Sequence, residues 1–313
     1  MTYGVSGGAQ PSKNEKRVAA RDKAKLRRLE QKKKEKRNRA LIQGGVIVGV
    51  LAVIVVVVLV IVSNIPKPNP GPLNMLSDGI RIGADFTADR TAALQPEQEP
   101  VPSVPSDDPE VVDIRIYLDY FCPACGAFEK ANNEQIATWV QSGAATVEIH
   151  PVSFLDRSSL GTKYSSRAAN AAACVANYAP DQYFDFSSLL FAEQPAEGTE
   201  GLNDEQLIGI VGDAGVKSSS AIESCIKDNR FKKWVNAATA RAFEGPLPGV
   251  DVEKIERTPT VFVNGVQFTG DITDATVFAK FVSTASGNAF SDELKATMEP
   301  STSPSPSAEA PAE

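Results

Sequence analysis

Two thiols separated by two residues, Cys122-Pro123-Ala124-Cys125, are the groups of this chain best placed to do chemistry. At that spacing two sulfurs can close and reopen a disulfide, which makes thiol–disulfide exchange the reaction they suit. The pair stands where a strand-like run ends and a helical pattern begins. Pro123 fits the first helical position, where its missing N–H is not needed. Cys122 is then the N-cap, its sulfur facing the free N–H groups of the opening turn and the positive end of the helix dipole, which favours thiolate over thiol. Cys125 lies three residues on, on the same side of the helix but deeper. An exposed attacking thiol is thereby separated from a sheltered resolving one. A purely structural disulfide gains little chain entropy from so short a ring. Half a zinc site would have to recruit Cys174 and Cys225, which are isolated in sequence where structural zinc motifs bring a second close pair.

Those other two cysteines lie in apolar surroundings, Cys174 beside Ala171, Ala172 and Val175, and Cys225 between Ile222 and Ile226. Four cysteines allow three pairings. If Cys122 pairs with Cys125, Cys174 with Cys225 is the pairing that remains, and an oxidising compartment would keep it closed. Two free buried thiols are the alternative. His150 is the one histidine, so no multi-histidine metal site can be built, and a structural role is expected of it. Neither a cofactor nor a metal is expected.

The elements around the pair follow from periodicity. Val112, Ile114, Ile116 and Leu118 alternate as a buried strand, Phe128, Ile136, Trp139 and Val140 recur at helical spacing, and Ala145 to Val152 reads as a second strand. Strand, helix and strand in that order imply a right-handed parallel unit. From Ser158 to Glu244 an Ala-rich pattern, broken near Pro180, at 195–201 and at Gly215, fits four or five short helices. Pro259 to Val263 is a strand, Asn264-Gly265 signals a type I′ hairpin, and Val266 to Thr269 pairs back antiparallel. A last helix is expected over Asp274 to Thr284.

Charge divides the chain. Residues 1–43 carry 14 of the 32 Lys and Arg against four acids, while the remainder is strongly acidic. No charged residue occurs between Ala40 and Pro66, and the run from Leu41 to Ser63 is long enough to cross roughly 30 Å of hydrocarbon as a helix. The basic head leaves residues 1–40 in the cytoplasm and everything after the span outside it. The sequence after the span offers no small-x-small cleavage pattern, which favours an uncleaved signal anchor. Topology and contact with the lipid bilayer account for the basic run better than a nucleic-acid arm, so no nucleic acid is expected as a partner. Residues 64–110 hold nine of the 21 prolines and read as a spacer, within which Gly79-Ile80-Arg81-Ile82-Gly83 has a strand-like alternation and could pair with the domain's edge. The folded domain is expected over 111–297, with its helical insertion at about 158–244. Residues 298–313 read as a disordered Pro, Ser, Ala and Glu tail.

Residues 111–286 resemble the DsbA-type branch of the thioredoxin superfamily. The likeness rests on Asp119-Tyr120-Phe121-Cys122-Pro123-Ala124-Cys125 at a strand–helix junction, a helical insertion, and Thr258-Pro259-Thr260-Val261-Phe262-Val263-Asn264-Gly265. It implies an α/β, thioredoxin-like fold with an inserted helical subdomain, here preceded by a single transmembrane helix. It also implies a cis Thr258-Pro259 bond whose loop packs on the active-site sulfurs and binds extended substrate through its backbone. The activity implied is disulfide formation in unfolded exported thiol proteins, with reoxidation by a quinone-linked membrane partner of the DsbB or vitamin-K-epoxide-reductase-like type. A reductase or isomerase of the same fold, or an anchored binding module, are the alternatives. Two positions depart from the pattern. Ala124 stands where many relatives have a His between the cysteines. Ile116 stands where a buried acid often serves the resolving thiol. Asp119 or Glu148 could replace that acid through water, although an ordinary surface or rim position is expected of both.

Overall fold

The computed structural model describes residues 13–64, 70–217 and 220–298. The chain divides into two units, Met1–Lys67 and Pro68–Glu313. In the first, helix α1 (Lys13–Asn64) runs through the basic stretch and into the apolar run. The side chains at 41–42, 46–48 and 59–63 of the expected span lie outside the described residues. Those at Val50, Leu51 and Val53 to Val58 are described, and all are about half-exposed. Among the described residues no helix is long and apolar enough to cross a membrane. The N-terminal 12 residues and the expected tail beyond Met298 also lie outside the described residues.

The second unit is built on a five-stranded mixed sheet. In chain order its elements are β1 (Ile80–Ile82), β2 (Val112–Leu118), α2 (Pro123–Ser142), β3 (Ala145–Pro151) and five insertion helices. These helices are α3 (Tyr164–Tyr178), α4 (Tyr183–Ala192), α5 (Asp204–Asp213), α6 (Ser220–Lys227) and α7 (Lys232–Glu244). β4 (Thr260–Val263), β5 (Val266–Gln267) and α8 (Ala275–Met298) complete it. The strand order is β1-β3-β2-β4-β5. β2 lies at the centre, parallel to β3 from Val112 opposite Ala145 to Leu118 opposite Pro151, and antiparallel to β4. Its even-numbered residues face the main core, whereas Tyr117 belongs to a smaller cluster with Val152, Ala242, Ile255 and Phe262. Period-two alternation thus sends successive side chains to opposite faces.

α2 buries one stripe, Cys125, Phe128, Asn132, Ile136 and Val140, at helical spacing. Phe128 meets Phe278 of α8 edge-on at 5.4 Å. The buried Asn132 amide donates to the carbonyls of Phe128 and Ile272, so no polar group is stranded there. Gly143 ends the helix at φ 77°, the left-handed conformation that glycine adopts without Cβ strain. The Asn264-Gly265 turn has positive φ at both residues, as a type I′ hairpin requires.

Three expectations need correction. Residues 70–110 are not a free spacer, because they are wrapped onto the domain. In keeping with the alternation at 79–83, β1 is an antiparallel edge strand, with Ile80 opposite Ile149; beyond it, Met75 and Leu94 are also buried. Asp78 accepts from Arg241 Nε at 2.6 Å and Nη2 at 2.7 Å and from Trp234 Nε1 at 3.1 Å. Apart from the alternation at 80–82, these anchors are single residues far apart in sequence, so they leave no periodic signal. The last helix extends past Thr284 to Met298, and the hairpin's second strand stops at Gln267 rather than Thr269.

Candidate active site

The site forms where β2 delivers the chain into α2. Cys122 has extended backbone angles, φ −78° and ψ 118°, and Pro123 occupies the first helical turn. The turn between them is held internally: the Cys122 N–H donates to the Asp119 carbonyl at 3.0 Å, and the Phe121 N–H to Asp119 Oδ1 at 2.9 Å. Tyr120 and Phe121 are fully buried. The Tyr120 hydroxyl lies 3.3 Å from that of Tyr183 and donates to Ser187 Oγ at 3.1 Å, which ties the turn to α4.

Both active-site cysteines are free thiols. Cys122 is 8% exposed and Cys125 is 2% exposed, which leaves the first the more accessible of the two. The Cys122 thiol donates to the Thr258 carbonyl at 3.4 Å, across the sheet from a loop whose Thr258-Pro259 peptide is cis. The structure therefore brings Cys122, Cys125, Thr258 and Pro259 to one locus.

The two thiols differ in acidity. Cys122 is lowered to about 6, chiefly by its hydrogen bond with the Cys125 thiol. Burial opposes this shift, while the Thr258 side chain and the N–H groups of Cys125 and Ala124 add to it. Cys125 is pushed well above the ordinary thiol range, first by burial and then by its interaction with Cys122, even though its sulfur accepts the Asp119 N–H at 3.4 Å. One sulfur is thus a thiolate near neutral pH, and the other keeps its proton.

Asp119 and Glu148 are not rim carboxylates. Asp119 is fully buried, with Oδ1 accepting from Phe121 and Oδ2 accepting from the Leu155 N–H at 2.8 Å. Burial raises it to about 6 against those hydrogen bonds. Sequence reasoning underrated it because an acid next to Tyr and Phe in a turn looks solvated until the loop after β3 closes over it. Glu148 pairs with Arg115 at 2.9 Å and accepts from Ser77 and Ser103, which commits it to the sheet. His150 stacks on Tyr117 at 4.4 Å and is buried, a structural position. Cys174 of α3 and Cys225 of α6 are joined in a disulfide, with Cα atoms 5.9 Å apart. Sequence reasoning missed Gln194, whose amide reaches the active-site turn from the insertion. Nothing in its local pattern marked it.

Among the described residues no group of His, Cys, Asp and Glu is arranged to hold a metal. A thiolate and a protonated thiol at the start of a helix, under a cis-proline loop, can exchange disulfides with another chain. Fold and site together define a thiol–disulfide oxidoreductase of thioredoxin-like fold. The chain belongs to the thioredoxin family, whose family model matches residues 109–281, more than half of its length. It is similar to the reduced disulfide bond oxidoreductase DsbG of Mycobacterium tuberculosis, at 27% identity over 68% of this chain and 94% of that one, with a TM-score of 0.48. It is also similar to reduced DsbA of the same organism, at 25% identity over 66% and 99% of the two chains, with a TM-score of 0.46. A curated relative, the serine/threonine-protein kinase PknE of Mycobacterium tuberculosis, is 29% identical over 159 residues, 50% of this chain. The match spans 24% of the kinase's length.

Proposed function

We propose that this protein is a membrane-anchored, DsbA-like oxidase that introduces disulfides into unfolded exported thiol proteins. The observation that carries the reading is the placement of Cys122 at the N-terminus of α2, against the Thr258 carbonyl and ahead of the more deeply buried Cys125, an arrangement in which the Cys122 thiol is lowered to about 6. A stabilised Cys122 thiolate favours the reduced dithiol form, and a dithiol that prefers to be reduced is an oxidant toward other thiols. A substrate thiolate attacks Cys122 Sγ of the Cys122–Cys125 disulfide, the S–S bond breaks, and Cys125 leaves and takes up a proton. A second substrate thiolate then attacks the substrate sulfur of the mixed disulfide. The Cys122 thiolate leaves, so the substrate carries the new disulfide and the enzyme carries two more electrons. Extended substrate pairs with the backbone around Thr258 and Pro259.

Reoxidation falls to a quinone-linked membrane partner of the DsbB or vitamin-K-epoxide-reductase-like type. The apolar run from Leu41 to Ser63 anchors the chain, with its basic head in the cytoplasm and its catalytic domain outside. The exposed apolar residues Val50 to Val58, which lie all round α1, support this placement, because lipid covers such a surface without cost.

The test uses the full chain in detergent, oxidised, with a reduced unfolded substrate. Wild type forms substrate disulfides, whereas Cys122→Ser and Cys125→Ser, neither of which can close the 122–125 disulfide, form none. An inert wild type, or undiminished activity in Cys122→Ser, sinks the proposal. A reduction potential above about −200 mV against glutathione separates an oxidase from a reductase.

A further inference from the structure

Gln194 follows α4 in the loop that leaves it, and its own N–H is held by the Phe191 carbonyl at 3.2 Å. Its side chain turns back to the active site. Nε2 donates to the Tyr120 carbonyl at 3.1 Å and to the Cys122 carbonyl at 2.9 Å, so one amide brackets the Phe121–Cys122 stretch. The Cys122 carbonyl already accepts the first hydrogen bond of α2, from the Gly126 N–H at 3.1 Å. Gln194 is therefore a second donor to the carbonyl of the N-cap residue. The fit depends on residue 126 being glycine, since a Cβ there would lie 2.1 Å from Gln194 Oε1.

The hydrogen bonds that Asp119 makes to Phe121 and Cys122 lie within the turn and move with it. Gln194 fixes the turn's carbonyls from a separate element. The sulfur of an N-cap cysteine is acidic only while it stays over the N–H groups of the first helical turn, and hydrogen-bond strength falls steeply as alignment is lost. We infer that Gln194 is a positioning residue for disulfide exchange, pinning the Tyr120 and Cys122 carbonyls so that the helical insertion sets the acidity, and hence the reactivity, of Cys122. This role rests on the exchange chemistry proposed above. The titratable groups facing Cys122 are Cys125 from α2 and Asp119 from the turn. From the 258–259 loop Thr258 presents its carbonyl, and the insertion contributes the uncharged Gln194 amide.

The experiment measures the pH profile of Cys122 alkylation in the reduced full chain in detergent, with the potential against glutathione as a second readout. The variants are Gln194→Ala, Gln194→Glu and Gly126→Ala. The glutamate keeps the size of the side chain but aims acceptors at two carbonyls, and the alanine at 126 displaces the amide without removing it. In all three, alkylation at pH 6 falls about 2- to 6-fold, which is what a 3- to 10-fold loss of acidity, about one hydrogen bond, leaves for a thiol that titrates near that pH, while the rate at pH 9 stays at the wild-type level and the potential becomes more reducing. Far-UV circular dichroism and a thermal melt on each variant identify any that is misfolded, and the folded ones decide. An unchanged profile and potential in the folded variants overturn the inference, as does an equal loss at every pH, which would report access and not acidity. Alkylation is read without substrate, so a wild type that fails to oxidise protein thiols refutes the oxidase reading and leaves this measurement standing on its own.

Discussion

Exchange needs two thiols of unlike acidity, and burial and hydrogen bonding divide them at residues 122 and 125. The same burial acts on Asp119, whose carboxyl is raised from 3.8 to about 6. The folded protein therefore binds this proton more tightly than the unfolded chain does. The group's contribution to stability is fully present below the unfolded value and is lost as pH rises through the folded one, by about 3 kcal/mol in total. Asp119→Asn is expected to flatten the pH dependence of unfolding between about pH 4 and 6, measured by urea titration at each pH. An unchanged slope would mean that the carboxylate is solvated. The backbone N–H of Asp119 also donates to the Cys125 sulfur, at 3.4 Å.

At the scale of elements, the insertion is built on an Ala-rich α3, buried along its length, with the Cys174–Cys225 bridge fastening it to α6. The bridge closes a separation of 51 residues. Replacing both cysteines by Ala is expected to cost about 4 kcal/mol by the chain-entropy argument, read as a fall in the denaturant midpoint, with the Cys122 alkylation rate retained. The edge strand β1 makes a similar case for the segment before β2. Ile80 is fully buried against β3, and Ile80→Ala should lower stability by about 2–5 kcal/mol. A free spacer would lose nothing.

At the scale of the whole molecule, a basic helix that continues into an apolar run is followed by an acidic catalytic body. Anchoring predicts that the full chain stays with membranes through alkaline carbonate extraction and that a chain lacking residues 41–63 is released into the supernatant. Release of the full chain would remove the anchor from the proposal.

Local pattern was enough to read the placement of the cysteine pair at a helix start, the strand–helix–strand unit and the hairpin. Each of these is set by residues adjacent in sequence: Pro123 after Cys122, the alternation of Val112 to Leu118, and Asn264 before Gly265. The residues that tune the site were not legible. Asp119 becomes a buried acid only when Leu155 closes over it, and Gln194 becomes a clamp only when α4 packs on α2 and Gly126 leaves it room. Met75 and Leu94 likewise read as isolated apolar residues in a spacer until the domain offers them a surface. Periodicity and helix-start chemistry are local and survive in a one-dimensional string. Burial and long-range hydrogen bonds are properties of the packed chain, so the tertiary structure alone decided how acidic each thiol is and what holds it there.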